Sequence, residues 1–225
     1  MERKEFVKTI KYAIFDMDGT LADSLGFWEA FWPELGKQYM NNPSFRADAE
    51  VDRAVRTVTM NASAVMIQKA YLNDVSPEEI YSFCNKMIDY YYNNKVDMKT
   101  GVPEFLEYMR SRGVKMCIAS ATEPRFLHAL LKKCTLAEYF EDVVSCTDVG
   151  AGKEKPDVFL EALRRLGGNI EDACVFEDSF VALETAKKAG FKTVGIYDKN
   201  NYGQDRLKAA ADVYMGEGDV YYDLF

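Results

Sequence analysis

Residues 13–24 read AIFDMDGTLADS: three apolar residues, Ala13, Ile14 and Phe15, break into two aspartates one residue apart, Asp16 and Asp18, followed by Gly19 and Thr20. An apolar run of this length, starting at Tyr12, predicts a buried strand. Two carboxylates at its end repel one another, and such crowding calls for a cation or a shared proton. Capping a turn before a helix would need only one aspartate, so the pair points to chemistry.

Working outward, the texture changes twice. Over residues 23–97, aromatic, methionine and charged residues recur at helical spacing (LGFWEAFWPELGKQYM, AEVDRAVRTVTMNASAVMIQKAYL, PEEIYSFCNKMIDYYYNN), and nothing alternates as a strand would. Ser76-Pro77-Glu78-Glu79 is a helix start, with a serine cap, proline at the first helical position and glutamate at the third. This stretch is expected to form an all-helical insert in which Tyr90, Tyr91 and Tyr92 pack. From Gly101 onward, helices expected at 102–111, 124–133, 156–166 and 180–189 alternate with the short apolar runs VKMCIAS, DVVSC, ACVFEDS and KTVGIYD. That alternation predicts an α/β fold, a Rossmann-like parallel sheet flanked by helices, built from residues 1–22 and 98–225, with 23–97 as a second, helical domain. Such sheets bind ligands at the carboxyl ends of their strands. Asp16 and Asp18, Ser120, and Glu177 with Asp178 each end an apolar run, so parallel strands would gather them at one edge.

Bulk properties narrow the partners. A formal charge of −8 disfavours nucleic acid and anionic membranes, both of which need concentrated positive charge. No apolar run is long enough to span a bilayer, and MERKEFVKTIKYAIF lacks the apolar core of a signal peptide, so a cytoplasmic protein is expected. Five dispersed cysteines without a CxxC pair fit reduced, mostly buried thiols better than a disulfide framework or a zinc site. A small anionic substrate remains open if its charge is met locally, and a monomer or weak homodimer is expected. The single histidine, His128, lies in a helix away from every cluster, which argues against histidine-based catalysis.

Four motifs, in order, resemble those of the haloacid dehalogenase-like superfamily of phosphotransferases: FDMDGT, Ser120 in CIASAT, Lys153 in GKEKPDVF, and VFEDS. The insert between the first and second resembles the helical cap of the branch containing β-phosphoglucomutases and many sugar-phosphate and nucleotide phosphatases. The resemblance spans nearly the whole chain. It implies Asp16 as nucleophile, Asp18 as general acid and base, and Ser120 and Lys153 as phosphate-contacting residues. It also implies Mg²⁺ held by Asp16, the backbone carbonyl of Asp18, Asp178, and Glu177 directly or through water. Lys155 competes for the lysine role, but the spacing to Pro156 and Asp157 favours Lys153. Glu177-Asp178-Ser179 also suits a helix N-terminus, which is compatible with metal binding.

Asp18 favours phosphate ester chemistry over dehalogenation. In the mutase pattern the cap offers a histidine where this chain has Trp28, and an arginine where Met60 and Asn61 stand, with Arg56 one turn away. A sugar bisphosphate needs cationic partners that these residues lack. The expectation is therefore a Mg²⁺-dependent phosphatase of small phosphorylated metabolites, ahead of a sugar-phosphate mutase and of a non-enzymatic binding protein. Trp28, Thr59 and Asn61 are the candidate substrate contacts, and hinges are expected near 21–24 and 97–101.

Overall fold

Helices and short strands alternate along the chain in the computed structural model, which describes residues 2–56 and 58–225. A short helix α1 (Arg3–Val7) precedes strand β1 (Tyr12–Phe15), and four helices follow: α2 (Phe27–Met40), α3 (Ala49–Val55), α4 (Met60–Tyr71) and α5 (Pro77–Asn94). Helix α6 (Val102–Ser111) leads to β2 (Lys115–Ser120), α7 (Pro124–Lys133), β3 (Asp142–Ser145) and the one-turn α8 (Cys146–Val149). The remainder alternates α9 (Asp157–Leu166), β4 (Ala173–Glu177), α10 (Phe180–Ala189), β5 (Lys192–Ile196), α11 (Gln204–Ala210) and β6 (Val213–Met215). Among the described residues no helix is long and apolar enough to cross a membrane.

Two units result, Met1–Leu25 with Val96–Phe225, and Gly26–Lys95. The first holds a six-stranded sheet in the order β3-β2-β1-β4-β5-β6, every neighbouring pair parallel. The chain moves outward from β1 in one direction and, after β3, resumes on its other side at β4. β1 therefore sits at the switch point where α/β sheets open a crevice beyond their strand ends. Its side chains alternate between the faces. Ile14 joins Cys117, Ala119 and Val175 beneath the apolar sides of α9 and α10. Phe15 points the other way, stacks on Phe176 with centroids 4.4 Å apart, and meets Phe105 of α6 edge-on at 6.3 Å. Burying each such ring contributes roughly 1.5–3 kcal/mol. Helix α9 shows how locally this is encoded: Val158, Phe159, Ala162, Leu163 and Leu166 are buried, while Glu161, Arg164 and Arg165 pair on the outer side.

All five cysteines are free thiols, four of them buried, and burial pushes Cys84 and Cys117 up to about 12 and Cys146 up to about 11. Ala22 bridges Met98 antiparallel, Asp23 N–H donates to the Asp97 carbonyl at 2.9 Å, and Lys99 N–H to the Leu21 carbonyl at 2.8 Å. This short ribbon holds residues 23–25 and 96–97 with the sheet.

The helical unit has its own core. Ser76 caps α5, accepting from the Glu79 N–H at 3.1 Å, with Pro77 at the first position. Phe27, Trp28, Phe31 and Trp32 of α2 form an aromatic cluster with neighbouring ring centroids 5.1–6.1 Å apart. Of the three consecutive tyrosines expected to pack, Tyr92 is buried and Tyr91 half-buried, whereas Tyr90 is exposed.

Candidate active site

The site at the end of β1 is built from four chain segments. β1 delivers Asp16, whose backbone N–H extends the ladder to the Phe176 carbonyl of β4 at 3.0 Å. The chain then turns, Gly19 N–H donating to the Ala22 carbonyl at 2.9 Å, with Gly19 at φ +82°. Only glycine suits this position: the backbone is left-handed, and a Cβ would run into the Asp178 carboxylate and come within 2.7 Å of Leu25. β2 ends on Ser120, β4 ends on Glu177 with Asp178 next, and the loop after α8 brings Lys153.

Lys153, largely buried, bridges two carboxylates: its Nζ donates to Asp16 and, at 2.7 Å, to Glu177 Oε2. Glu177 Oε1 accepts from the Ser179 N–H at 3.1 Å. Asp178 is buried; its Oδ1 accepts from Thr20 Oγ1 at 3.2 Å and its Oδ2 from Asn201 Nδ2 at 2.7 Å. Carboxylate oxygens of Asp16, Glu177 and Asp178 all lie within 4.8 Å of one another. Asp18 stands beside this trio. Its Oδ1 accepts from Ser24 Oγ at 2.6 Å and its Oδ2 from Thr122 Oγ1 at 2.8 Å. Ser120 Oγ is buried and accepts from the Thr122 N–H at 3.1 Å, which leaves its own proton free to be donated. Lys155 is exposed.

The electrostatics follow from burial. Asp16 is pushed up to about 8, first by desolvation and then by the charges of Glu177 and Asp18, against the pull of Lys153. Asp178 is pushed up by desolvation, Glu177 and Asp16, with Lys99 opposing. Burial alone would lower the Lys153 ammonium, but Asp16 and Glu177 outweigh it and hold it charged, above its ordinary value. Three buried carboxylates face one ammonium, so the fully ionised cluster carries two uncompensated negative charges. The donors are all oxygens, at the end of a cradle that a single Cβ at Gly19 would fill. Residues of this kind fit a hard divalent cation such as Mg²⁺.

The thermal stability of the protein tests this fit. Asp16 rises from an ordinary 3.8 to about 8 on folding, so the cation-free native state binds a proton that the unfolded chain releases between these values. The resulting stabilisation is complete below pH ~4 and is lost as pH rises through ~8. A cation binds the deprotonated form, so the increase in melting temperature produced by Mg²⁺ is expected to be larger at about pH 8.5 than at about pH 5. An equal increase at both would argue against a carboxylate cation site.

Trp28, Thr59 and Asn61 belong to the helical unit. Trp28 is buried among Phe27, Phe31 and Trp32, with the Arg56 guanidinium 5.9 Å from its ring centroid. Thr59 caps α4, accepting from the Ala62 N–H at 3.4 Å, and both Thr59 and Asn61 are exposed. His128 is exposed on α7. Thr122, Asn201 and Tyr221 were not anticipated from the motifs. Tyr221 is buried and its hydroxyl donates to the Thr20 carbonyl at 3.1 Å, beneath the turn that carries Asp18. Thr122, two residues beyond Ser120, had a signal in its spacing; Asn201 and Tyr221 had none.

The acidic trio and bridging lysine at the switch point define an α/β enzyme that works at strand ends. A family model for haloacid dehalogenase-like hydrolases matches residues 10–190, and the chain belongs to that family. It is 28% identical to a phosphorylated carbohydrates phosphatase of Thermotoga maritima, over 88% of this chain and 90% of that protein. It is 26% identical to a phosphoglycolate phosphatase of Salmonella typhi, over 97% of this chain and 91% of that protein. The solved structure of CbbY from Rhodobacter sphaeroides in complex with phosphate shares the fold, with a TM-score of 0.79 at 21% identity over 96% of each chain.

Proposed function

We propose that this chain is a Mg²⁺-dependent phosphatase that hydrolyses small phosphorylated metabolites through an aspartyl-phosphate on Asp16. The observation that carries the reading is the Lys153 ammonium bridging Asp16 and Glu177 while two hydroxyls hold Asp18 beside them. A carboxylate oxygen of Asp16 attacks phosphorus and the bond to the ester oxygen breaks. Asp18, as the acid, gives that oxygen its proton and the alcohol departs. Asp18, now a carboxylate, takes a proton from a water that attacks the phosphoryl group on Asp16, releasing inorganic phosphate and restoring both aspartates. Lys153 and Ser120 donate to phosphoryl oxygens, and Lys153 keeps Asp16 oriented. Asp16, Asp178, the Asp18 carbonyl and Glu177, directly or through water, would hold Mg²⁺. Bound there, it supplies neutralisation of the charge on the phosphoryl oxygens.

The helical unit is proposed to cap this site, with the exposed Thr59 and Asn61 as substrate contacts; Trp28, the third candidate, is buried in the aromatic cluster of α2 and is not proposed as one. Hydrolysis is favoured over mutase chemistry because Arg56, one turn before Met60 and Asn61 in the sequence, is already paired with Asp52 at 2.7 Å. The similarity to phosphatases of a phosphorylated carbohydrate and of phosphoglycolate supports a small, non-polymeric substrate. The proposed setting is the cytoplasm, consistent with five free thiols.

The test is a panel of sugar phosphates, phosphoglycolate and nucleoside monophosphates, with and without Mg²⁺, assayed for released phosphate and for isomerised sugar. Metal-dependent phosphate release is expected. Isomerisation of a sugar 1-phosphate without net release would make the enzyme a mutase, and no turnover of any ester would overturn the reading.

A further inference from the structure

Asn201 lies in the loop between β5 and α11, outside all four motifs. Its Nδ2 donates to Asp178 Oδ2 at 2.7 Å and to the Asp178 backbone carbonyl at 3.2 Å. Its Oδ1 accepts from the Tyr202 N–H at 2.9 Å, which settles that the amide presents its nitrogen, not its oxygen, to Asp178. The loop is braced from below. The buried Asp198 accepts from the Asn200 N–H at 2.8 Å and pairs with Lys99 Nζ at 2.9 Å, while its carbonyl accepts from the Asn201 N–H at 3.1 Å and Gln204 Nε2 at 3.1 Å.

Asp178 is therefore gripped at both oxygens, by Thr20 on one and Asn201 on the other, and each oxygen keeps a lone pair. The chemistry of the grip matters. A lysine in this place would offset the charge of the carboxylate, as Lys153 offsets one of the two charges of Asp16 and Glu177. A neutral amide orients it and leaves its charge available to a cation. We infer that Asn201 is a positioning residue that holds Asp178 in the orientation a divalent cation requires, so that little side-chain ordering remains to be done on binding. The inference rests on the reading of Asp178 as a cation-holding carboxylate.

Calorimetric titration of Mg²⁺ into the substrate-free protein separates the two. Asn201→Ala is expected to weaken Mg²⁺ binding about 10- to 100-fold while the cation-free melting temperature is retained. Excess Mg²⁺ is expected to restore kcat with an unchanged KM for the ester, which a general structural defect would not allow. Lys199→Ala, an exposed change in the same loop, should bind as the unsubstituted protein does. If Asn201→Ala does not fold, Asn201→Ser, too short to reach Asp178, carries the same expectation. Binding by the Asn201 variant within about twofold of the unsubstituted protein, while Asp178→Ala has lost it, would overturn the positioning role alone. Unchanged binding by Asp178→Ala would overturn the reading of the site, and this inference with it.

Discussion

Asp16→Asn is expected to remove turnover of every ester, by about 10⁴-fold or more, while leaving a folded protein. The amide nitrogen and oxygen occupy the space of the carboxylate, and Lys153 retains Glu177 as a partner at 2.7 Å. What disappears is the anionic oxygen that would attack phosphorus, and the neighbouring carboxylates are each engaged by other partners. Glu177 is held by Lys153 and the Ser179 N–H, Asp178 by Thr20 and Asn201, and Asp18 by Ser24 and Thr122. Two measurements check this: phosphate release across the substrate panel, and intact-mass detection of a phosphorylated protein after a rapid acid quench. The unsubstituted enzyme should show the added phosphoryl group during turnover and the variant should not. A variant retaining activity within about tenfold would remove Asp16 from the role of nucleophile.

Asp18→Asn tests the division of labour between the two aspartates of the first motif. Its side chain can still accept one hydroxyl hydrogen bond, but it can neither give a proton to the leaving oxygen nor take one from water. General acid and base help of this kind is worth ~10²–10⁴-fold, and that loss is expected in full on alkyl phosphates, whose leaving groups need the proton. Aryl phosphates leave without it, so their first step should survive and the second, hydrolysis of the phosphorylated Asp16, should become limiting. The expected signature is a burst of released phenol equal to the enzyme present, followed by a slow steady state. Equal losses on alkyl and aryl esters, with no burst, would mean that Asp18 does not handle the proton.

These two predictions concern residues that the amino-acid order already singled out. The predicted strand from Tyr12 to Phe15, the helices 102–111 and 124–133, and the serine-capped start of α5 all appear in the structure, because each is written in a local period or cap. Helix α9 begins at Asp157, one residue after the expected start, with Pro156 as its cap. Shorter elements were illegible. Three residues of β6 carry too little alternation to be told from a loop, and the seven-residue α11 and five-residue α1 are too brief for an amphipathic period to register. Their assignment comes from what they pack against: β6 is a strand because β5 offers it a free edge.

Residue order by itself determined the class of fold and singled out the carboxylates, hydroxyl and lysine proposed for the site. Apolar runs ending in Asp16, Ser120 and Glu177 must place those groups at the exits of their strands, because a buried strand cannot accommodate them any earlier. Only the folded chain decided how the groups are held. One of the two hydroxyls on Asp18 comes from Thr122, 104 residues away, and the support under Thr20 from Tyr221, 201 residues away. The amide on Asp178 comes from a loop after the next strand, 23 residues on. Hydrophobic period and turn chemistry report on neighbours in the chain. Which side chains meet at the open end of a parallel sheet is set by strand order and register, and those are settled by the packing of the whole unit.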